Sequence, residues 1–224
     1  MTIDRLADIL LAPDCLLCGA AATADGLCAA CAAELPALPA AHCPRCALPT
    51  PHGETCGGCL SHPPAFEATF APWIYAWPLD RLVQALKYGQ RLSVARLLGR
   101  QMAAVLPDDA DVHIVPVPLA PERLRERGFN QALELARLLP GRLLPDACLR
   151  LRDTRAQALL SSRQERQGNV RGAFACLRPL FGATVVLVDD VMTSGATLDE
   201  LAKAVRAQGA ARVLCCVAAR TPKN

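Results

Sequence analysis

Four apolar residues, Val185 to Val188, run without interruption into two adjacent carboxylates, Asp189 and Asp190, and then into the small, hydroxyl-rich stretch Val191-Met192-Thr193-Ser194-Gly195-Ala196-Thr197. The length and β-branched content of the apolar run predict a buried strand of a parallel sheet, whereas Leu198 to Ala207 repeats its apolar positions at helical spacing. Upstream, Phe70 to Tyr75 predicts a strand, and Leu79 to Lys87 and Leu92 to Leu106 predict helices, the second closed by Pro107. Val112 to Pro118 predicts another buried strand, Glu122 to Leu139 a helix, Leu143 to Leu151 a strand, and Arg212 to Ala218 a closing strand. This alternation predicts an α/β fold, a parallel sheet with helices on both faces. Before residue 70 the alternation is absent. Ala32 to Ala41 and Leu60 to Pro72 are Pro- and Ala-rich connectors, and Pro63-Pro64 ends an N-terminal module, so the expected domains are 1–63 and 70–224.

The turn after Asp190 has the chemistry of a site for a phosphorylated sugar. It lies between a strand end and a helix start, where α/β folds bind ligands. Backbone N–H groups at the helix start, the positive end of the helix dipole and the hydroxyls of Thr193, Ser194 and Thr197 can cradle a phosphate, with Gly195 and Ala196 keeping the approach open. A bulky β-branched residue at Gly195 is expected to block the phosphate by crowding the turn. Asp189 and Asp190 are acceptors suited to two vicinal ribose hydroxyls. The blander reading, two aspartates that only cap a helix, leaves the preceding strand and the following hydroxyls without a role.

Eight of the twelve cysteines fall into four Cys-x-x-Cys pairs: Cys15/Cys18, Cys28/Cys31, Cys43/Cys46 and Cys56/Cys59. Two such turns complete a closed tetrathiolate site for structural zinc, with no open position for catalysis. One or two ions are expected, and the spacing leaves open whether neighbouring pairs share an ion or the pairs interleave. Removing the metal is expected to unfold residues 15–59 and spare the α/β core. His42, His52 and His62 read as solvated loop residues, and Cys148, Cys176, Cys215 and Cys216 as core thiols. The chain is 52% hydrophobic but only 4% aromatic, so aliphatic packing must form the core. A net charge of +3 is too mild to imply nucleic-acid binding by itself. No segment has the length of a membrane span, and the first residues lack a cationic leader, so a cytoplasmic location is expected.

The Asp-Asp pair followed by Thr-Ser-Gly-x-Thr (Asp189-Asp190 and Thr193 to Thr197) resembles the fingerprint by which type I phosphoribosyltransferases bind 5-phosphoribosyl-1-pyrophosphate (PRPP) with magnesium. Three further stretches extend the likeness: Leu86-Lys87-Tyr88-Gly89, the loop Pro116-Val117-Pro118-Leu119 leading to Arg123, and the Arg-rich segment from Arg150 to Arg178. Together with the N-terminal cysteine pairs, their order is similar to that of the ComF family, the competence-associated branch of that superfamily. The resemblance implies a type I phosphoribosyltransferase-like core behind a small zinc module. Asp189 and Asp190 would hold ribose and metal-bound water, and Thr193 to Thr197 the 5-phosphate. Lys87, Val117, Pro118, Leu119, Arg123 and Arg163 would lie on the pyrophosphate side. It also implies partners: single-stranded DNA, or a competence helicase or other DNA-uptake protein. Two readings stay open, a phosphoribosyltransferase with an unidentified acceptor and a non-catalytic protein that keeps the fold to bind single strands or dock a partner.

Overall fold

The computed structural model describes residues 14–23, 26–89, 91–108, 111–152 and 168–223. Two short helices, α1 (Ala29–Ala33) and α2 (Gly57–Ser61), belong to the cysteine-rich region. They are followed by β1 (Ala68–Phe70), β2 (Trp73–Ile74), α3 (Leu79–Tyr88), α4 (Leu92–Val105), β3 (Val112–Pro116), α5 (Pro121–Arg127) and α6 (Gln131–Ala136). The remaining elements are β4 (Arg142–Leu143), β5 (Cys148–Arg150), β6 (Phe174–Cys176), β7 (Thr184–Met192), α7 (Ala196–Ala207) and β8 (Arg212–Arg220).

The main sheet is parallel, in the order β1-β8-β7-β3-β4, with β2 continuing the β1 edge along β8. Because successive strand residues face opposite sides, the central strands feed two cores. Val185, Leu187, Val213 and Val217 pack with Leu198, Leu201 and Val205 of α7 on one face. Val186, Val188, Leu214 and Cys216 pack with α3, α4 and α6 on the other. Both faces are buried, which explains why the central strands read as unbroken apolar runs rather than as alternation.

Three expected elements are divided, each at an identifiable residue. The single strand expected over Phe70 to Tyr75 is two short strands separated by Ala71 and Pro72, since Pro72 has no N–H to give the ladder; its carbonyl instead accepts from Leu38 N at 2.9 Å. The helix expected over Glu122 to Leu139 breaks at Gly128, whose φ of 78° is left-handed, and restarts behind Asn130, whose side chain accepts from Ala132 N at 3.0 Å. The strand expected over Leu143 to Leu151 ends at Leu143; after Pro145 the chain forms β5, which pairs antiparallel with β6 outside the main sheet. In the opposite sense, β7 runs four residues past Val188, so Asp189 and Asp190 lie within its ladder and not at its last residue.

The cysteine-rich region is sewn to the core. Cys43, Cys46, Cys56 and Cys59 are buried in the α7-side core, while Cys15 and Leu27 join the opposite one. Ala37 bridges to Trp73, Thr69 Oγ1 donates to Arg45 O at 2.7 Å, and Arg220 Nε donates to Cys46 O at 2.7 Å. The second cluster therefore shares its packing with the α7-side core instead of having a core of its own.

Candidate functional site

The eight cysteines close as two sequential clusters, Cys15/Cys18/Cys28/Cys31 and Cys43/Cys46/Cys56/Cys59, with all four sulfurs of each within 4.8 Å of one another. This settles the pairing that the spacing left open, and no histidine joins either cluster among the described residues. Sulfurs at about 2.3 Å from a tetrahedral zinc lie about 3.8 Å apart. Cys18 to Cys28 is 3.7 Å and Cys46 to Cys56 is 3.6 Å, so the residues fit the ion. Burial works against the Cys43 thiolate, but N–H groups from Cys56, Cys46 and Arg45 bring it down to about 7; burial and then the Cys46 charge push Cys59 well up. Thiolates crowded in this way repel until a divalent ion neutralises them.

Asp189 and Asp190 leave β7 toward opposite faces. Asp190 is buried and forms an ion pair with Lys87 at 2.5 Å, so α3 brings to the strand the lysine expected beside phosphate. Burial opposes ionisation of Asp190, yet the Lys87 charge outweighs it and holds the carboxyl below its ordinary range. Burial likewise opposes the charge on Lys87, and Asp190, then Asp189, outweigh it and raise its pKa. Burial pushes Asp189 up to about 8, with the Asp190 charge adding to it. One Asp189 oxygen accepts from Asp190 N at 2.9 Å.

The turn follows directly. Gly195 has φ of 80°, a left-handed conformation that a residue with a Cβ adopts only under strain, and it caps α7. A Cβ there would meet Met192 at 3.8 Å and Phe66 at 3.9 Å, ordinary contacts. Backbone strain is thus what reserves the position for glycine within the protein itself. Ser194 Oγ accepts from Ala196 N at 3.3 Å, and the first intrahelical bond runs from Asp199 N to Gly195 O at 2.9 Å. Thr193, Ser194, Gly195 and Ala196 line a cavity of about 1200 Å³ that opens between the turn and the second cysteine cluster, with Arg171, Lys203 and Lys223 on its wall. Asp189 and Asp190 are not among its lining residues.

On the expected pyrophosphate side the structure narrows the donors. Val117 is buried and its N–H donates to Val188 O at 2.9 Å, extending the sheet; Pro118 has no N–H, so of the three loop residues only Leu119 can offer one. Asn130 Nδ2 donates to Val117 O at 3.0 Å and fixes the loop. Arg123 is half-buried on α5. Arg163, with most of the Arg-rich segment, lies outside the described residues.

Two arginines outside the expected site residues stand close to the site. Arg127 Nη1 donates to Gln131 Oε1 at 3.0 Å and its guanidinium sits 5.4 Å from the ring centroid of exposed Tyr88, next to Lys87. Arg220, the last residue of β8, is only 5% exposed, and its Nη1 donates to the carbonyls of Met192 at 2.9 Å and Thr193 at 2.5 Å. A lone cation ending the apolar run Val213 to Ala219 was the available signal.

Residues 6–60 match the double zinc ribbon domain and residues 160–224 the phosphoribosyl transferase domain. Among curated proteins the chain is 36% identical over 187 residues to the DNA utilization protein YhgH of Escherichia coli strain K12, covering 76% of this chain and 80% of the relative. It is 35% identical over 204 residues to YhgH of Salmonella typhimurium, covering 84% and 87%. It is 32% identical over 200 residues to Competence protein F of Haemophilus influenzae, covering 83% and 86%. No helix of the described residues is long and apolar enough to cross a membrane.

Proposed function

The chain belongs to the ComF family, in which a double zinc ribbon precedes a phosphoribosyltransferase-like domain, and on that premise we propose that it binds PRPP with magnesium at the carboxyl end of β7. The observation that carries the reading is the succession, on one strand and one helix start, of an acceptor pair and a hydroxyl-rich turn: Asp189 and Asp190, then Thr193 to Thr197. Asp189 accepts from a ribose hydroxyl. Lys87 keeps Asp190 ionised beside it, and the turn holds the 5-phosphate with α7 N–H groups and hydroxyls. Leu119 N–H and Arg123 face the pyrophosphate. Magnesium, when bound, neutralises charge on the departing pyrophosphate. The rest is positioning: no protein nucleophile is required, and an acceptor base completes a phosphoribosyl transfer. The setting is cytoplasmic, where PRPP is made.

Calorimetric titration of PRPP, with and without magnesium, into the wild type and an Asp189→Asn, Asp190→Asn variant tests the reading. Magnesium-dependent heat in the wild type alone supports it, and no heat at about millimolar PRPP, a level at which even −4.1 kcal/mol would register, sinks it. Release of pyrophosphate that depends on an added base then tests transfer.

A second reading is favoured by the exposed Tyr88 ring under Arg127 and by the relatives' names, DNA utilization protein and Competence protein F. The ring offers a stacking platform beside a cation, as single-strand binders use. Strongly salt-dependent binding of an oligonucleotide, lost in Tyr88→Ala, supports DNA handling. Salt-independent capture of a competence helicase by the ribbon would point to docking instead.

A further inference from the structure

The buried guanidinium of Arg220 joins two places that the chain keeps far apart. Its Nε donates to Cys46 O at 2.7 Å, inside the second cysteine cluster. Its Nη1 donates to Met192 O at 2.9 Å, Thr193 O at 2.5 Å and Thr221 O at 2.7 Å, so the turn that cradles phosphate hangs on the same side chain. All these acceptors are neutral carbonyls, and among the described residues no carboxylate lies within ion-pair distance of Arg220. An arginine only 5% exposed carries its full charge, and burying it without an anion is costly. Two anions are at hand. Four thiolates around one divalent ion leave a net negative charge next to Cys46, and a phosphate in the turn brings another.

Among the described residues the first cluster has no such link. Cys18 is exposed, Cys28 and Cys31 are half-buried, and the cluster packs with the opposite core. The second is buried at all four sulfurs, and it lines the same cavity as Thr193, Ser194 and Arg220.

We propose that Arg220 is a positioning residue that couples the second metal site, and not the first, to the phosphate turn: the filled tetrathiolate orders Arg220, and Arg220 fixes the Met192 and Thr193 carbonyls so that the turn's N–H groups face the ligand. The proposal rests on the reading of that turn as the PRPP 5-phosphate site. Coupling of this kind is reciprocal, so phosphate ligand must also tighten metal in the second site.

The test reads metal release and ligand binding on the full chain. A chromogenic chelator follows zinc loss from Cys18→Ser, which retains the second site, and from Cys56→Ser, which retains the first. PRPP with magnesium is expected to slow release at least tenfold in Cys18→Ser and to leave the rate in Cys56→Ser unchanged. Arg220→Met is expected to lose at least tenfold in PRPP affinity and to release one of its two zinc ions faster, with Arg220→Lys recovering part of both because it keeps the charge without the fork. Circular dichroism identifies a variant that has failed to fold, and Arg220→Lys, the mildest change, then supplies the comparison. Wild type that binds PRPP while release from the two single-site proteins responds equally, or Arg220→Met that keeps wild-type affinity and release, overturns the coupling alone. A wild type without PRPP binding overturns both the site reading and the coupling built on it.

Discussion

Replacing Lys87 by methionine removes the cation that holds Asp190 and keeps most of the stem's volume. Loss of one partner from a fully buried ion pair costs about 3–5 kcal/mol, because the remaining charge is stranded. Here the lysine side chain is 24% and the aspartate 11% exposed, so water recovers part of that loss and about 2–3 kcal/mol is expected. The cost depends on pH in a definite sense. In the wild type the Asp190 pKa is depressed, so its contribution to stability is present above the unfolded value near about 3.9 and lost as pH falls through the lower folded value. In the variant burial is no longer offset by the Lys87 charge, and only the hydrogen bonds to Asp189 and from Val191 N–H still oppose it. The folded pKa then lies above the unfolded one, and stability is lost as pH rises instead. The gap between the two proteins should widen from about pH 5 to about pH 8 in urea unfolding followed by circular dichroism with zinc present. Adding Asp190→Asn to the variant removes the stranded charge and should recover most of the loss. A deficit under about 0.5 kcal/mol, or one of equal size at both pH values, refutes the reasoning.

Gly195→Val should cost about 2 kcal/mol of stability through left-handed strain and weaken PRPP at least tenfold, whereas Gly195→Asn, which tolerates that conformation, should do much less; equal affinity of the two by calorimetry contradicts this. Magnesium-dependent PRPP affinity should rise with pH, up to about tenfold per unit, and level off near 8 as Asp189 ionises, and Asp189→Asn should flatten the profile. The stability linked to Asp189 runs the opposite way, full below its unfolded value and lost as pH rises through about 8, which a pH series of melting curves reads directly. Elemental analysis of reduced protein should give two zinc ions per chain, and stripping them should lower the melting temperature of the α/β core as well as the ribbon; a core transition unmoved by chelation argues against the shared packing.

The sequence disclosed the parts in which local pattern and tertiary burial agree. Val185 to Val188 has the unbroken apolar character of a strand buried on both faces, and the cysteine spacing carries its own metal geometry. What it concealed was decided by single residues whose neighbours are distant in sequence. Pro72 and Pro145 interrupt runs that read as continuous strands, and Gly128 divides a helix whose apolar spacing continues across it. Lys87 was legible as a basic residue near the site, but not as the partner of Asp190, 103 positions later, because α3 must first fold against the sheet. Arg220 was hidden for the same reason. The strand expected over Arg212 to Ala218 stops short of it, and only the sheet order places it over Cys46 and Thr193.

The sheet order also governs when the molecule can be made. Both edge strands near the start of the fold, β1 and β2, have the late strand β8 as their sheet partner, with Ala68 opposite Leu214 and Trp73 opposite Ala219. On the ribosome the cysteine loops can close around metal early, since each spans few residues. The strands that follow them must wait, unpaired, through the synthesis of almost the whole core. That interval exposes two edge strands and a half-covered apolar surface to other chains, so the nascent protein is most prone to aggregate just before β8 emerges. Its arrival closes the sheet and sets Arg220 between ribbon and turn in one event, making β8 the keystone of synthesis.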